Sequence, residues 1–411
     1  MRFLYTLSIY SYLFAIRIAS LFNPKAKLWL KGRKSIFEDL RNKIQDSRLK
    51  TKDSKLIWFH CASLGEFEQG RPLMEKLKTQ NSKLKILLTF FSPSGYEVRK
   101  NYSGADWIFY LPIDTPKNAE RFIETIKPSS VFFIKYEFWF NYLNELKNQN
   151  IPTYLISGIF RKEQHFFKSY GAWFRKQLNA FTHFYVQDES SEKLLHSINC
   201  KNTTLSGDTR FDRVFEISKN VKSIPLIETF KQGKNIFIAG STWLEDEKMV
   251  SSLKLENSKL IIAPHEIDEA HIQSIIQQFN NLKTIRFSHA NSENVKDAEV
   301  LIIDNIGMLS SVYQYGAIAF IGGGFGKGIH NILEAATFGL PVIFGPNYQK
   351  FTEAKELITS GGAFCINNEK EFQKTLSLLN DKSVLQTASY VASSYVKNKT
   401  GATEKILNSI K

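Results

Sequence analysis

The chain has 411 residues, of which 43% are hydrophobic and 23% charged, as in a globular protein with room for two domains of about 200 residues each. Fifty-four Lys and Arg against 40 Asp and Glu give a net charge of +14, which indicates an anionic partner: nucleic acid, phosphorylated metabolites or an acidic membrane surface. The three cysteines are odd in number and lack metal-ligand spacing, which argues against a disulfide framework or a zinc site and fits a reducing compartment.

Residues 1–34 form a distinct N-terminal segment. Residues 3–16 carry no charge, and beyond Arg17 the apolar run continues to Phe22. Five basic residues and no acid follow: Lys25, Lys27, Lys31, Arg33 and Lys34. The uncharged run is shorter than the roughly 20 residues that span a bilayer, although a snorkelling arginine extends it. We expect a membrane-associated helix with a basic flank attracted to anionic lipid; a true span, a buried helix and a signal sequence are the alternatives.

The rest of the chain alternates short apolar runs with amphipathic stretches. Runs such as KLIWFH, KILLTFF and SSVFFIKYE predict strands, whereas TPKNAERFIETIKP predicts a helix. A polar interval at 215–234 predicts a linker. The alternation of predicted strands and helices begins again at NIFIAGS. The pattern predicts two α/β domains with parallel sheets, at 35–214 and 235–411. Ligands of such sheets bind at the carboxyl ends of the strands.

The glycine-rich loop GGGFGKGIHNILEAATFG, residues 322–339, follows one of these strands. Its spacing fits neither the dinucleotide-binding fingerprint nor a P-loop. Glycines allow close approach of the backbone to a ligand, and a helix from about Ile329 would offer free amides and a positive dipole end to a phosphate. Glu334, one turn inside that helix, would then hold ribose hydroxyls. The alternative is a tight turn with capping residues.

Five motifs occur in a defined order: W-x-H-x-x-S-x-G-E, YEFW, GDTRFD, APHE and a GGG…HNILEAA…GLPVIFGP block. Together they resemble the 3-deoxy-D-manno-octulosonic acid (Kdo) transferases of lipopolysaccharide assembly, over residues 56–352. The resemblance implies an α/β, GT-B glycosyltransferase fold, in which two Rossmann-like domains face a central cleft, with an N-terminal membrane-associated helix. It implies CMP-Kdo as donor, a lipid A precursor as acceptor, no cofactor, no nucleic acid partner and a place on the cytoplasmic face of the cell inner membrane.

Three side chains carry the chemistry in this resemblance. An inverting transfer requires a base that takes the acceptor proton on the face away from the departing CMP, and Glu66 matches that base. Glu137 and Arg210 match the groups that stabilise the transition state, the arginine standing where the family often has lysine. The structural alternatives are a helix-start carboxylate at Glu66 and a buried ion pair between Arg210 and Glu137.

The resemblance also implies the donor contacts. The loop glycines are Gly323 and Gly324, and the residues that match the CMP contacts are Pro264, His265, Ile306, Gly307, Met308, Asn331, Ile332, Leu333 and Glu334. Three of these depart from the common pattern, with His265 in place of Arg, Met308 in place of Glu and Ile332 in place of Pro. Asp208 and Asp212 flank Arg210 at a spacing of four, and the chain has no D-x-D, so we expect no metal.

Two other functions are consistent with this sequence. The first is another GT-B enzyme, either a UDP-sugar transferase or a nucleotide-sugar epimerase, which competition between CMP and UDP distinguishes. The second is a non-enzymatic, basic protein that binds the membrane surface, for which Glu66 is dispensable.

Overall fold

The computed structural model describes residues 1–50, 55–255 and 257–410. Two compact units appear in it: Met1–Arg213 together with the residues from Gly401 onward, and Val214–Thr400. Each unit is built on one seven-stranded sheet in which every pair of neighbouring strands is parallel. The prediction of two parallel α/β domains is therefore confirmed.

The first unit alternates strands and helices after three N-terminal helices. Its elements are α1 Arg2–Ala19, α2 Pro24–Lys31, α3 Ile36–Lys50, β1 Leu56–Cys61, α4 Leu64–Gln80, β2 Lys85–Phe90, α5 Pro93–Arg99, β3 Trp107–Tyr110, α6 Pro116–Ile126, β4 Ser130–Ile134, α7 Phe140–Asn148, β5 Thr153–Gly158, α8 Ala172–Leu178, β6 His183–Val186, α9 Glu189–Ser197, β7 Thr203–Leu205 and α10 Thr209–Lys219. Two 3₁₀ turns precede α8, at His165–Phe167 and Ser169–Gly171.

The second unit repeats the alternation with shorter helices. Its elements are α11 Pro225–Lys231, β8 Asn235–Thr242, α12 Leu244–Val250, β9 Ser258–Pro264, α13 Glu269–Gln278, β10 Thr284–Arg286, β11 Val300–Ile302, α14 Leu309–Val312, β12 Ile318–Ile321, α15 Leu333–Ala336, β13 Val342–Phe344, α16 Thr352–Ser360, β14 Ala363–Cys365, α17 Glu369–Leu379 and α18 Lys382–Asn398. Two 3₁₀ turns lie at Phe287–His289 and Tyr313–Tyr315. The last helix, α19 Ala402–Ser409, returns to the first unit.

The sheet of the first unit has the order β3-β2-β1-β4-β5-β6-β7, which places β1 beside β4. Successive side chains of a strand point to opposite faces, so β1 contributes side chains to the apolar layers on both faces of the sheet. Trp58 belongs to one layer, and Phe59 and Cys61 to the other. All six residues of β1 are buried, so His60 and the turn after Cys61 are set in a rigid frame. The second sheet has the order β10-β11-β9-β8-β12-β13-β14.

The unit boundaries differ from the segments expected at 35–214, 215–234 and 235–411. The interval 215–234 contains the end of α10 and all of α11, and it belongs to the second unit. Helix α19 was expected in the second domain but packs on the first. Asp212 holds it there by accepting hydrogen bonds from the backbone N–H of Gly401 and Thr403, at 2.5 and 2.7 Å.

The N-terminal segment is docked on the first unit. The Tyr5 hydroxyl donates to the Asp114 carboxylate, and Arg2 donates to Asn141 at 3.0 Å. The rest of α1 presents large exposed apolar side chains: Phe3, Leu4, Leu7, Tyr10, Tyr12, Phe14 and Ile18. Among the described residues, no helix combines the length and the apolar character needed to cross a membrane.

Arg33 departs from the expectation that all five basic residues of this segment contact lipid. Its guanidinium donates to the carbonyl oxygens of Leu111, Trp29 and Phe91 at 2.8, 3.0 and 2.8 Å and lies 3.8 Å from the Trp29 ring centroid. Burial lowers the pKa of Arg33 to about 9. Arg33 therefore fixes α2 to the sheet loops.

Candidate functional site

Glu66 lies at the carboxyl end of β1, in the first turn of α4. Ser63 is the N-cap of that helix, which puts the glutamate at the position where capping-box carboxylates bond the N-cap backbone. No such cap hydrogen bond forms; the Ser63 hydroxyl contacts the Glu66 carboxylate instead. The carboxylate is half-buried and is not consumed in capping the helix, which leaves it able to accept a proton.

Glu137 follows the adjacent strand, β4, and is reached through a tight turn. Lys135 has a φ of 71°, in the left-handed region, and Tyr136 N–H donates to the Ile134 carbonyl two residues back, at 3.1 Å. These features define a γ-turn with a positive central φ, a conformation that is rare and strained. The turn directs Glu137 into the first unit, where only 8% of the residue is exposed.

Two aromatic side chains hold the Glu137 carboxylate. Trp139 Nε1 lies 2.6 Å from Glu137 Oε2, and His60 Nε2 lies 3.1 Å from the same oxygen. These two rings are the partners of Glu137 among the described residues, so the ion pair with Arg210 that was considered from the sequence is not formed.

Arg210 is held at the start of α10 by the neighbouring carboxylate. Asp208 Oδ2 accepts from Arg210 Nε and Nη2 at 2.8 and 2.7 Å, and Asp208 Oδ1 accepts from the Arg210 backbone N–H at 2.9 Å. The side-chain amide of Gln69, one turn beyond Glu66 on α4, donates to Asp208 Oδ1 at 3.3 Å. The backbone carbonyl of Gln69 accepts from the Thr209 hydroxyl at 2.6 Å. One helix thus carries Glu66 and anchors the segment that carries Arg210.

The charges of these residues act on common neighbours. Burial raises the pKa of the Cys61 thiol well above its usual range, and the charges of Glu66 and Glu137 raise it further. Burial also raises the pKa of Tyr136, while Arg161, which donates to its hydroxyl at 3.1 Å, lowers it. Glu66 follows β1 and Glu137 contacts His60 of the same strand, so both sequence-predicted carboxylates lie near the end of β1. Tyr136 and Arg161, which the sequence analysis missed, lie beside Glu137 in the chain and at the Tyr136 hydroxyl, respectively.

The donor-loop glycines of the second unit pack against protein backbone. A Cβ on Gly324 would lie 2.7 Å from the Cα of Gly345, so this position excludes any side chain. Gly323 has a φ of 88°, and its N–H donates to Asp246 Oδ2 at 2.8 Å. Asp246 therefore accepts the proton of the Gly323 amide, and the expectation that these glycines allow close approach to a ligand stays a prediction.

Three aromatic rings stack at the carboxyl ends of β8, β9 and β12. His265 lies 4.7 Å from Trp243 and 4.4 Å from His330 between ring centroids. Trp243 Nε1 donates to His330 Nε2 at 3.0 Å. Burial, with a contribution from His265, lowers the pKa of His330 to about 4, and burial lowers that of His265. His265 was predicted as a CMP contact, and His330 was part of the HNILEAA motif but was assigned no role. Trp243 and Asp246 were missed because they lie outside the five motifs.

The helix that follows the glycine-rich loop is shorter than expected and begins later. The structure has only the single turn α15, Leu333–Ala336, in place of a helix from about Ile329, so the predicted dipole site for phosphate is wrong. Asn331 explains the late start, since its Oδ1 accepts from Leu333 N–H at 3.1 Å and its Nδ2 donates to Glu334 at 3.0 Å. The Ile332 and Leu333 side chains are buried in the core, so neither side chain is exposed to a ligand.

The remaining predicted CMP residues lie in two neighbouring loops. Pro264 ends β9, and the backbone N–H of His265 donates to the Thr242 carbonyl at 2.9 Å. Ile306 is 86% exposed, Gly307 has a φ of 93° and Met308 is the N-cap of α14. In the described parts of the chain, no group of three His, Cys, Asp or Glu side chains has a geometry suited to a metal ion.

Comparison with known proteins agrees with the arrangement of these motifs. Residues 37–213 match the family described as 3-deoxy-D-manno-octulosonic-acid transferase (kdotransferase). A 3-deoxy-D-manno-octulosonic acid transferase of Aquifex aeolicus is 30% identical over 332 residues, which cover 79% of this chain and 85% of that protein. The chain belongs to the 3-deoxy-D-manno-octulosonic acid transferase family. It is therefore a glycosyltransferase.

Two further comparisons show its relation to more distant proteins. A bifunctional glycosyltransferase/methyltransferase of Fusobacterium nucleatum is 27% identical over 344 residues, 80% of this chain, and the chain spans about half (53%) of that protein's length. The structure of a UDP-GlcNAc 2-epimerase from Neisseria meningitidis bound to UDP-GlcNAc has a TM-score of 0.55 at 15% identity, covering 87% of this chain and 99% of the epimerase. At that identity the likeness shows the fold alone, which is similar to that of GT-B enzymes.

Proposed function

We propose that this protein transfers Kdo from CMP-Kdo to a lipid A precursor, with inversion at the anomeric carbon, on the cytoplasmic face of the cell inner membrane. The observation that carries the proposal is that α4 places Glu66 at the end of β1 and, through Gln69, anchors the Asp208–Arg210 pair. Family membership supports Kdo as the transferred sugar.

Glu66 serves as the general base in this proposal. Its carboxylate takes the proton of the acceptor hydroxyl as that oxygen attacks the anomeric carbon, from the face opposite the leaving CMP. In the helix-start alternative the position of Glu66 in the first turn of α4 would be its whole role. We favour the base, because in the described part of the chain the carboxylate contacts the Ser63 hydroxyl and not a backbone amide of the cap.

Arg210 and Glu137 act on the charge that develops during transfer. A guanidinium offers paired donors suited to a carboxylate or phosphate, and Kdo carries a carboxylate beside its anomeric carbon. Asp208 occupies Nε and one terminal nitrogen of Arg210, fixing the plane of the guanidinium. We assign Glu137 to the positive charge that builds up on the sugar ring, where a carboxylate fixed in advance needs no reorganisation.

The second unit holds the cytidine nucleotide. Glu334, linked to Asn331, is suited to ribose hydroxyls, and the stacked rings of Trp243, His265 and His330 form a polar aromatic surface beside the glycine-rich loop. In place of the helix dipole, the backbone N–H groups of that loop are the proposed phosphate donors. Those of Gly324, Phe325 and Lys327 have no acceptor in the described structure.

The N-terminal segment supplies the contact with the membrane. The exposed apolar face of α1 lies beside a groove of about 600 Å³ whose lining combines apolar side chains with Arg17, Lys27, Lys31 and Lys34. This combination suits an anionic lipid surface. Purified protein incubated with CMP-Kdo and lipid A precursors, with products identified by mass spectrometry, tests the whole proposal. Absence of a Kdo adduct, or transfer from a UDP-sugar instead, would overturn it.

A further inference from the structure

We propose that His60 is a positioning residue that holds the Glu137 carboxylate for the transfer reaction. The inference deepens the proposed function, because it rests on the role assigned there to Glu137. His60 is completely buried within β1, and Glu137 follows the neighbouring strand β4. A buried histidine beside a nearly buried glutamate needs defined partners on both ring nitrogens, because an unpaired buried polar group is costly.

A chain of hydrogen bonds supplies those partners. Trp58 Nε1 donates to Thr89 Oγ1 at 2.7 Å, Thr89 Oγ1 lies 2.8 Å from His60 Nδ1, and His60 Nε2 lies 3.1 Å from Glu137 Oε2. The chain crosses three strand regions of the sheet, from β1 through β2 to the turn after β4. The side chains of Trp58, Thr89 and His60 are fully buried.

The direction of each proton follows from the donors available. An indole N–H only donates, so Thr89 accepts from Trp58 and places its own proton on the nearer of its two other neighbours. That neighbour is His60 Nδ1 at 2.8 Å, and the Phe59 carbonyl lies farther away at 3.4 Å. With Nδ1 as the acceptor, the imidazole carries its proton on Nε2, which lies 3.1 Å from both Glu137 Oε2 and Trp139 Nε1. The indole N–H is closer to Glu137 Oε2, at 2.6 Å, so this carboxylate oxygen is the acceptor that we assign to both rings.

The turn before Glu137 is independent support for positioning. The positive φ of Lys135 is a strained backbone conformation, and such strain persists where the surrounding structure enforces it, commonly at functional sites. Glu137 Oε2 then receives His60 and Trp139, while Oε1 has no protein donor in the described structure. One oxygen is held by the protein and the other is available to the reacting sugar.

Two variants of His60 distinguish its contact with Glu137 from its contact with Thr89. In His60→Gln the side-chain amide reaches the place of Nε2, so a donor to Glu137 is kept and the contact with Thr89 is lost. In His60→Asn the amide reaches only the place of Nδ1, so the contact with Thr89 is kept and Glu137 loses its donor. We expect kcat to stay within a few-fold in the first variant and to fall about 10²-fold in the second, as for a misplacement of about 1 Å, with the donor KM little changed.

A double-mutant cycle with Glu137→Gln tests whether His60 acts through Glu137. Once Glu137 is replaced, His60→Asn should lower kcat no further, because residues that act as a unit are not additive. Equal losses in His60→Asn and His60→Gln, or losses that multiply with Glu137→Gln, would overturn the proposal. His271→Gln is the matched control, because that histidine also contacts a buried glutamate, Glu247 at 2.9 Å, but lies in α13 outside the site, and its kcat should not change.

Nuclear magnetic resonance of ¹⁵N-histidine-labelled protein tests the bond without any assay of transfer. We expect His60 to show the Nε2–H tautomer, its Nε2 signal to shift in Glu137→Gln and its Nδ1 signal to shift in Thr89→Val. An Nδ1–H tautomer, or a spectrum unaffected by both variants, overturns the positioning. The kcat of Glu137→Gln distinguishes failure of the two proposals. If the histidine signals respond as expected but this variant keeps the wild-type kcat, Glu137 has no role in transfer. The positioning role of His60 is then also wrong. If Glu137→Gln is impaired but His60→Asn is not, only the positioning role fails.

Discussion

Trp243 donates its indole N–H to His330 Nε2 at 3.0 Å, and its backbone N–H donates to Asp246 Oδ2 at 2.9 Å. The tryptophan therefore links a half-buried histidine and a buried aspartate whose pKa values move in opposite directions. Burial lowers the pKa of His330 to about 4 and raises that of Asp246 to about 6. Asp246 also accepts from Gly323, so this link connects the ring stack to the glycine-rich loop.

The first prediction concerns the pH dependence of stability. Between pH 4 and 6.5 the unfolded chain binds a proton at His330 that the folded chain does not, so His330 makes stability rise with pH. Asp246 does the reverse between pH 3.8 and 6, because its folded form binds the extra proton. After allowance for partial solvent screening, each effect is on the order of 1–2 kcal/mol. In the wild type the two largely cancel.

Single substitutions should reveal each effect by calorimetric unfolding across this pH range. Relative to wild type, His330→Gln, which keeps an acceptor for Trp243, should gain stability as pH falls from 6.5 to 4. Asp246→Asn, which keeps an acceptor for Gly323, should gain stability as pH rises from 4 to 6. Slopes of the same sign for the two variants would contradict the assigned pKa shifts.

The second prediction concerns the base. Glu66→Gln keeps the shape of the side chain and its contact with Ser63 but removes proton acceptance, so we expect kcat to fall by roughly 10² to 10⁴. Affinity for CMP, measured by calorimetry, should stay close to wild type because the proposed nucleotide contacts lie in the other unit. Near-normal turnover would remove Glu66 from the mechanism. Glu68→Gln, two residues on in the same helix, is the control and should retain activity.

The third prediction concerns the nucleotide. Glu334→Ala removes a carboxylate proposed to accept from ribose hydroxyls, and the loss of hydrogen bonds to a charged group typically costs about 1 to 3 kcal/mol. CMP affinity measured by calorimetry should weaken by that amount, while Glu369→Ala, in the first turn of α17, should have no effect. Unchanged affinity in the Glu334 variant would place the ribose elsewhere.

The sheets were predictable because their strands are continuous apolar runs. The segments KLIWFH, KILLTFF and SSVFFIKYE correspond to β1, β2 and β4. β7 was missed because Thr203–Leu205 is a short edge strand with partly exposed polar residues. A prediction based on apolar runs does not detect a strand this short and polar.

The details of the candidate site were less accessible than the strands. His60 and Glu137 are 77 residues apart, and only strand pairing brings them together. The sequence HNILEAATFG has helical spacing, but Asn331 bonds the backbone of Leu333 and delays the helix, a local competition that periodicity does not register. The partner of Gly323, Asp246, likewise depends on the tertiary fold.

The fourth prediction separates structural from membrane-facing residues of the N-terminal segment. Arg33→Met removes three hydrogen bonds to part-buried backbone carbonyls and should lower the free energy of unfolding by about 2–4 kcal/mol, measured by denaturant titration. Lys34→Ala, at an exposed neighbouring position, should change it by less than about 0.5 kcal/mol. A small effect at Arg33 would mean that the segment is separable from the first unit, and the original expectation of an independent segment would then hold.

The last prediction concerns the exposed apolar face of that segment. Deleting residues 1–34 is a poor test, because it would also remove Trp29, Arg33 and the contact between Tyr5 and Asp114. Substitution of exposed side chains is sharper, and the variant we propose carries Phe3→Ser, Leu7→Ser, Phe14→Ser and Phe22→Ser. None of these side chains is buried, so unfolding should change little.

Transfer to acceptor embedded in anionic vesicles should nevertheless fall by more than tenfold in this variant, because burying one large apolar side chain contributes about 1.5–3 kcal/mol. Transfer to acceptor dispersed in detergent should stay within about twofold, since the enzyme there need not bind a surface. Leu378→Ser with Tyr390→Ser, two exposed apolar positions of the second unit, is the matched control and should leave both reactions unchanged. An equal loss in vesicles and detergent would assign the face to the fold or to acceptor binding, and no loss in either would remove it from membrane contact.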